Sequence, residues 1–229
     1  MSAKKQEPKI VGTTESQPEG FKWVRLKKID WEDETGKKTF APRLITAVSR
    51  HEKRVWEAAE RCTRAKSGVD AVAIIALLDH PSKPLSTVIL EQYRPPIENT
   101  VIELPAGLVD EGETPEEAAV RELIEETGYG GDGEGAGTAT VEDVSPILVS
   151  DPGMTNANMR LCTVRVKLSE SDPEPKQKLD EGEHIVKRIV EVKELYNVLQ
   201  EYDRKGFTID ARLAHWAMGW HMATRSNKE

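Results

Sequence analysis

The chain has 229 residues, 38% hydrophobic and 31% charged, with a net charge of −8. This length suits one domain of ordinary size, with or without a small appendage. No run approaches the ~18 apolar residues of a membrane span, and no basic stripe is present to neutralise nucleic-acid phosphates, so neither a membrane nor a nucleic acid is an expected partner.

Residues 1–20 are rich in Lys, Gln, Glu, Ser and Pro and lack an apolar signal-peptide core; they read as a disordered tail. Residues 21–28 (FKWVRLKK) form a plausible strand. The turn at 34–37 within WEDETGKKTF suggests a hairpin over 31–40, and 41–48 and 55–63 supply further strands. This β region, 21–65, is too short for a confident core of its own and is expected to pack on something larger. A boundary falls near Gly68. Residues 70–78 (DAVAIIALL) are continuously apolar, as in a strand buried on both faces. Residues 86–93 and 100–104 are the next strands, separated by the break Pro95-Pro96.

The clearest helix runs over 114–127. Thr114 is a good N-cap, Pro115 suits the first helical position, and Glu117 completes a capping box. Gly128 stands where a left-handed C-terminal residue is wanted. The Gly-rich stretch 130–138 reads as a flexible loop and 169–182 as a surface loop. Strands are expected at 140–149, 160–168 and 185–192, with a loop at 150–158. Helices are expected at 192–205 and 209–224. Strands on both sides of a mid-chain helix, with helices at the end, indicate a mixed α/β sandwich. Cys62 and Cys162 are far apart and in no metal-ligand spacing, which favours reduced thiols and a cytoplasmic address, the nucleus being the alternative.

Within the helix, Glu122, Glu125 and Glu126 are spaced i, i+3 and i+4, so the three carboxylates project from one face. Val120, Leu123, Ile124 and Thr127 are expected to cover the buried side. Like charges at this spacing each cost about 0.2–0.5 kcal/mol per pair, so a cation should compensate. Hard divalent cations prefer carboxylate oxygens. Glu113, just before the helix, is placed to add a carboxylate or to tether Arg121. An isolated run of this kind is usually a solvated helix face; Gly107, Arg121 and Gly128 around it argue otherwise.

Gly107, Glu113 and then Arg121-Glu122-Leu123-Ile124-Glu125-Glu126-Thr127-Gly128-Tyr129 resemble the Nudix box at every fixed position, with Tyr129 standing where an aliphatic residue is more usual. The resemblance implies an α/β/α sandwich around a mixed sheet, residues 66–224, with a small N-terminal antiparallel β region and a short tail, 225–229. It implies that Glu122, Glu125 and Glu126 ligate Mg²⁺, with Mn²⁺ as a substitute, and that Arg121 and Glu113 support the loop–helix–loop. Gly107 and Gly128 would serve backbone conformation.

Over residues 21–223 the chain is also similar to eukaryotic ADP-sugar pyrophosphatases, notably in 92–96 (QYRPP), 102–107 (IELPAG) and 150–155 (SDPGMT). That similarity implies hydrolysis of ADP-ribose by a homodimer, its N-terminal β region exchanged between subunits. Position by position, Ala106 would give its carbonyl to one of two or three metal ions and Arg94 would contact the diphosphate. Trp23 and Trp56 would sandwich the adenine, one from each subunit, with Glu57 and Arg61 contacting adenine and phosphates. Asp151 would order the substrate loop. Glu183 would bind metal or position the attacking water, with Glu181 as the alternative acid. Each has a plainer reading: a strand Trp as a core residue, Arg94 as a partner of Glu91 or a surface acid. The stretch 130–137 resembles an insertion that lengthens the distance to Pro152, whose position in this group marks ADP-ribose preference. Other readings are a pyrophosphatase for a GDP-sugar or an oxidised nucleoside diphosphate, or a catalytically silent Nudix-fold binding module.

Overall fold

A computed structural model of the protein describes residues 9–32, 54–170 and 173–226. These divide between two compact units, one within residues 1–64 plus 149–158 and one within 65–148 plus 159–229. The expected hairpin at 31–40 and strand at 41–48 lie largely outside the described residues.

The smaller unit is an antiparallel sheet of β1 (Lys9–Ser16), β2 (Val24–Glu32) and β3 (Arg54–Arg61), in that order. Over residues 9–16, β1 corrects the expectation of a disordered tail at 1–20. Its polar composition hides a strand held by pairing with β2, from Lys9 opposite Glu32 to Ser16 opposite Leu26. Ion pairs of Lys9 with Glu32 and of Glu15 with Arg25 add to it; cross-strand partners act together with the β-branched Ile10, Val11, Thr13 and Thr14. Residues 149–158 join this unit: the Ala59 amide donates to Met154 O (2.8 Å) and Asn156 Nδ2 donates to Glu60 Oε1 (2.7 Å).

The larger unit is built on a sheet of nine strands: β4 (Ala71–Asp79), β5 (Ser86–Arg94), β6 (Asn99–Glu103), β7 (Ala106–Leu108), β8 (Thr138–Val144), β9 (Leu148–Val149), β10 (Asn158–Lys167), β11 (Ile185–Glu191) and β12 (Thr208–Ile209). Its main path is β12-β6-β5-β4-β10-β8, with β11 on β5, β7 on β4 and β9 on β10. β4 is parallel to β10 and antiparallel to β5 and β7, so the sheet is mixed. Helix α1 (Pro115–Thr127) covers one face. Helices α2 (Leu195–Arg204) and α3 (Ala211–Ser226) cover the other.

This layering explains the unbroken apolar run of β4. Val72, Ile74, Ala76 and Leu78 pack with Ala118, Ala119 and Leu123 of α1, while Ile75 packs with Leu195, Leu199, Leu213 and Ala217. Both faces are apolar because both are covered. Asp210 caps α3, accepting from the Arg212 amide (2.9 Å), and Arg212 also grips its carboxylate. Burial would raise the Asp210 carboxyl, but the Arg212 hydrogen bonds hold it below the usual range.

Three expectations differ in detail. The Gly-rich stretch is packed rather than flexible: the Gly130 amide donates to Ala136 O (2.7 Å), Ala136 is buried, and a Cβ on Gly135 would fall 1.9 Å from Pro173 O. A side chain is excluded there by a neighbouring backbone as well as by φ. α2 begins only after a 3-10 turn, Val192–Glu194. α3 runs to Ser226, into the expected tail. Among the described residues no helix is long and apolar enough to cross a membrane.

Candidate active site

The loop–helix–loop 107–129 is set by its caps. Thr114 Oγ1 accepts from the Glu117 amide (3.2 Å) and Glu117 Oε2 accepts from the Thr114 amide (2.8 Å), the reciprocal capping box. Gly128 closes α1 at φ 81°, and its amide donates to Ile124 O. Gly107 has a different reason. Its φ is not positive; instead a Cβ would lie 1.9 Å from the Glu122 carboxyl. The backbone at 107 passes directly against that carboxylate, so a side chain there would push the Glu122 carboxyl aside.

Arg121 organises the acids around it. Its Nε and Nη2 donate to Glu113 (2.9 and 3.0 Å), Nη1 to Glu122 (2.8 Å) and Glu125 (3.1 Å), and Nη2 also to Leu108 O (2.9 Å). The guanidinium thereby joins the loop to the helix, a use of its planar fork that Lys could not reproduce. Arg121 in turn holds Glu113 below the ordinary carboxylate range.

The three helix acids share a side but not an environment. Glu126 is 5% exposed and lies on the buried stripe with Leu123 and Thr127, whereas Val120 and Ile124, expected there, are half-buried. Ala106 N donates to Glu126 Oε2 (2.9 Å). Burial pushes the Glu126 carboxyl up to about 8; the Ala106 bond opposes this, and the charges of Glu122, Glu183 and Glu103 add to it. Glu122 is also raised, by burial first, against the pull of Arg121. Glu125 has the more open side chain, 37% exposed. Glu183 sits in a turn, its Oε2 accepting from the Asp180 amide (3.2 Å), and its charge reaches both Glu122 and Glu126.

Arg94 pairs with Glu103, through Nε (3.0 Å) and Nη2 (2.9 Å), and not with Glu91, which is held by Arg188 and Tyr202. Glu103 is the residue that sequence reasoning passed over. It is 4% exposed and raised by burial despite Arg94. The signal was available: a charged residue directly after the apolar pair Val101-Ile102 at the end of a strand, three residues before Ala106.

In the smaller unit Trp23 and Trp56 are 66% and 48% exposed, so neither is a core residue. Trp56 Nε1 donates to Gly153 O (2.8 Å), and Pro152 lines an apolar groove with Trp56, Trp31, Ile29 and Ile10. The loop 150–155 is turned by the Asp151 carbonyl, which accepts from the Met154 and Thr155 amides (3.1 and 3.0 Å). By strand alternation β3 places Trp56 on one face and Glu57 and Arg61 on the other. Those three neighbours in sequence therefore do not address one ligand from one face.

A mixed sheet between helices, with a capped helix aiming buried and half-buried glutamates at a glycine-tight loop, defines a class. Residues 69–211 match the NUDIX domain family, and the chain belongs to the Nudix hydrolases. More particularly, it is similar to three curated relatives. One is an uncharacterised Nudix hydrolase of Schizosaccharomyces pombe, 40% identical over 217 residues and 94% of each chain. Another is the ADP-ribose pyrophosphatase of Saccharomyces cerevisiae, 36% identical over 88% of this chain and 78% of that one. The third is the ADP-sugar pyrophosphatase of Mus musculus, 34% identical over 71% and 64%. A solved ADP compounds hydrolase shares the fold, with TM-score 0.58 at 18% identity over 97% of this chain and 98% of that one.

Nudix ADP-ribose pyrophosphatases depend on a divalent metal. The donor set here suits one: hard oxygens, with a carboxyl buried among acidic neighbours and the Ala106 amide donating to it. Among the described residues no three such side chains converge as a closed ligand set, and Arg121 binds both Glu122 and Glu125.

Proposed function

We propose that this protein hydrolyses the pyrophosphate bond of ADP-ribose, giving AMP and ribose 5-phosphate, and of related ADP-sugars, giving AMP and the sugar phosphate. The observation that carries the chemistry is Glu126, buried and beside Glu122 and Glu183, where ionised carboxylates need a cation. The substrate reading is supported by the ADP-ribose and ADP-sugar pyrophosphatases among its relatives.

Ala106, Glu122, Glu125, Glu126 and Glu183 would hold Mg²⁺ or Mn²⁺, two or three ions per site. When bound, these ions neutralise the diphosphate and stabilise charge that develops on the leaving phosphate. Glu183, on its exposed turn, accepts the proton of the attacking water or orients it. Oxygen from water bonds to phosphorus, the bridging P–O bond breaks, and the proton leaves through the glutamate. Arg94, fixed by Glu103 but 45% exposed, offers its free N–H groups to the diphosphate. Trp23 and Trp56 stack on adenine, with Glu57, Arg61 and Asp151 completing the nucleotide site. A homodimer in the cytoplasm fits the opposed faces of β3 and two free thiols, Cys62 and Cys162.

The test is product analysis with Mg²⁺ and a panel of ADP-ribose, ADP-glucose, GDP-mannose, NADH and 8-oxo-dGDP. AMP and ribose 5-phosphate released from ADP-ribose faster than products from the others support the proposal. Preference for GDP-mannose or 8-oxo-dGDP, or no turnover at all, refutes it.

A further inference from the structure

An α-helix ends with carbonyls that have no intrahelical partner. In α1 every one of them is taken. The Gly128 amide donates to Ile124 O (2.8 Å), the Lys178 amide to Glu125 O (2.8 Å), Gln177 Nε2 to Glu126 O (2.7 Å) and Lys187 Nζ to Thr127 O (2.8 Å). Three of these donors come from the stretch 173–187, well outside the box. That stretch lies hard against the helix end: a Cβ on Gly128 would fall 2.3 Å from Lys176 O. It also carries Glu181 and Glu183.

Lys187, on β11, joins the two. Its ammonium donates to Pro175 O as well as Thr127 O, pairs with Glu174 (3.4 Å) and stands 5.3 Å over the Tyr129 ring. Its side chain is 8% exposed, and Thr127, Tyr129 and Pro175 are buried. The aromatic at 129, unusual for the box, thus has a role: it gives the ammonium a π-face. Gln177 spans the strap at its other end, bridging Glu126 O and Ile185 O (3.2 Å). Removing the ammonium would leave two buried carbonyls unpaired, a cost that opening the strap to water relieves.

We infer that Lys187 is a positioning residue for hydrolysis: it locks the strap 173–187 onto the C-terminal end of α1 and so sets where Glu183 stands against Glu122 and Glu126. Its kinetic consequence rests on the proposed function; its structural content does not.

The experiment compares Lys187→Met and Gln177→Leu with the unaltered full chain, by steady-state kinetics on ADP-ribose with Mg²⁺ and by amide hydrogen exchange. Lys187→Met should lower kcat by about tenfold to a hundredfold, the range for a displaced catalytic group, while KM stays within about twofold. The Lys178 amide, which reports strap docking, should exchange faster. Unchanged kcat in folded Lys187→Met, whatever its melting temperature, overturns the inference, and so does an unchanged Lys178 amide. Should Lys187→Met yield no folded protein, Gln177→Leu opens the same strap at the adjoining carbonyl and must show the same split; unaltered kcat there overturns it equally. An unaltered chain inactive on ADP-ribose refutes the proposed function, and the exchange measurement then decides the strap on its own.

Discussion

The two units handle their chemically active side chains in opposite ways. In the larger one, Arg121 binds Glu113, Glu122, Glu125 and Leu108 O, and Glu126 is buried against the Ala106 amide. In the smaller one, Trp23, just before β2, and Trp56, on β3, stand open, with Trp56 held by a hydrogen bond to Gly153 O. The first arrangement is organised within a single helix, loop and strap before any ligand arrives. The second leaves large apolar rings in water, which favours a ligand or a second chain that covers them. Under the proposed function, chemistry that depends on placement belongs to the larger unit, and selection of the nucleotide to the exposed rings of the smaller one.

Substitutions can break this division, beginning with the largest effect. Glu126→Gln is expected to cost about a thousandfold or more in kcat, since it removes a buried charge that the metals require. In EDTA its melting temperature should stay close to that of the unaltered chain, because burial already favours the neutral form of the Glu126 carboxyl there. EDTA alone should abolish turnover, with Mg²⁺ restoring it. Near-normal kcat in this variant would place the chemistry elsewhere.

Gly107→Ala follows. Its methyl would occupy the space of the Glu122 carboxyl, displacing it from Arg121. A loss of about a hundredfold in kcat is expected from such a displacement, read by steady-state kinetics; an active Gly107→Ala would mean that the close approach has no catalytic purpose.

Trp56→Ala tests the exposed unit. Loss of a stacking face worth about 1–3 kcal/mol should raise KM for ADP-ribose roughly tenfold to a hundredfold with kcat retained. A fall in kcat with KM unchanged would erase the proposed division between chemistry and selection.

The smallest effect is structural. Asp210→Ala should lower stability by about 1 kcal/mol through loss of the α3 cap, measured by urea unfolding, with kcat unaltered. Because the folded carboxyl is held below its unfolded value, its contribution is present above the ordinary Asp pKa of about 3.9 and disappears as pH falls through the lower folded value. The gap between the two proteins should therefore narrow only in that acid range.

Much of the larger unit is legible in local pattern. Thr114, Pro115, Glu117 and Gly128 mark both ends of α1, and the run 70–78 announces a strand covered on both faces. The box spacing identifies the family and places three carboxylates on one side of a helix. The strand β1 was hidden, because KIVGTTES, though β-branched at Ile10, Val11, Thr13 and Thr14, lies in a polar stretch without apolar alternation and pairs with β2 for its shape. The packed Gly-rich stretch was hidden for a similar reason: glycine composition signals conformational freedom, while contacts with Pro173 and Ala136 remove it.

The sequence by itself determined that this protein has a capped, acid-bearing helix of the Nudix type, because caps, periodicity and box spacing act over a few residues. Only the tertiary structure decided which acid is buried, that the Gly107 backbone passes against Glu122, that Glu103 fixes Arg94, and that Lys187 closes the end of α1 from 60 residues beyond Thr127. Burial and hydrogen bonding between distant segments follow from how the sheet brings them together, and no local pattern encodes that meeting.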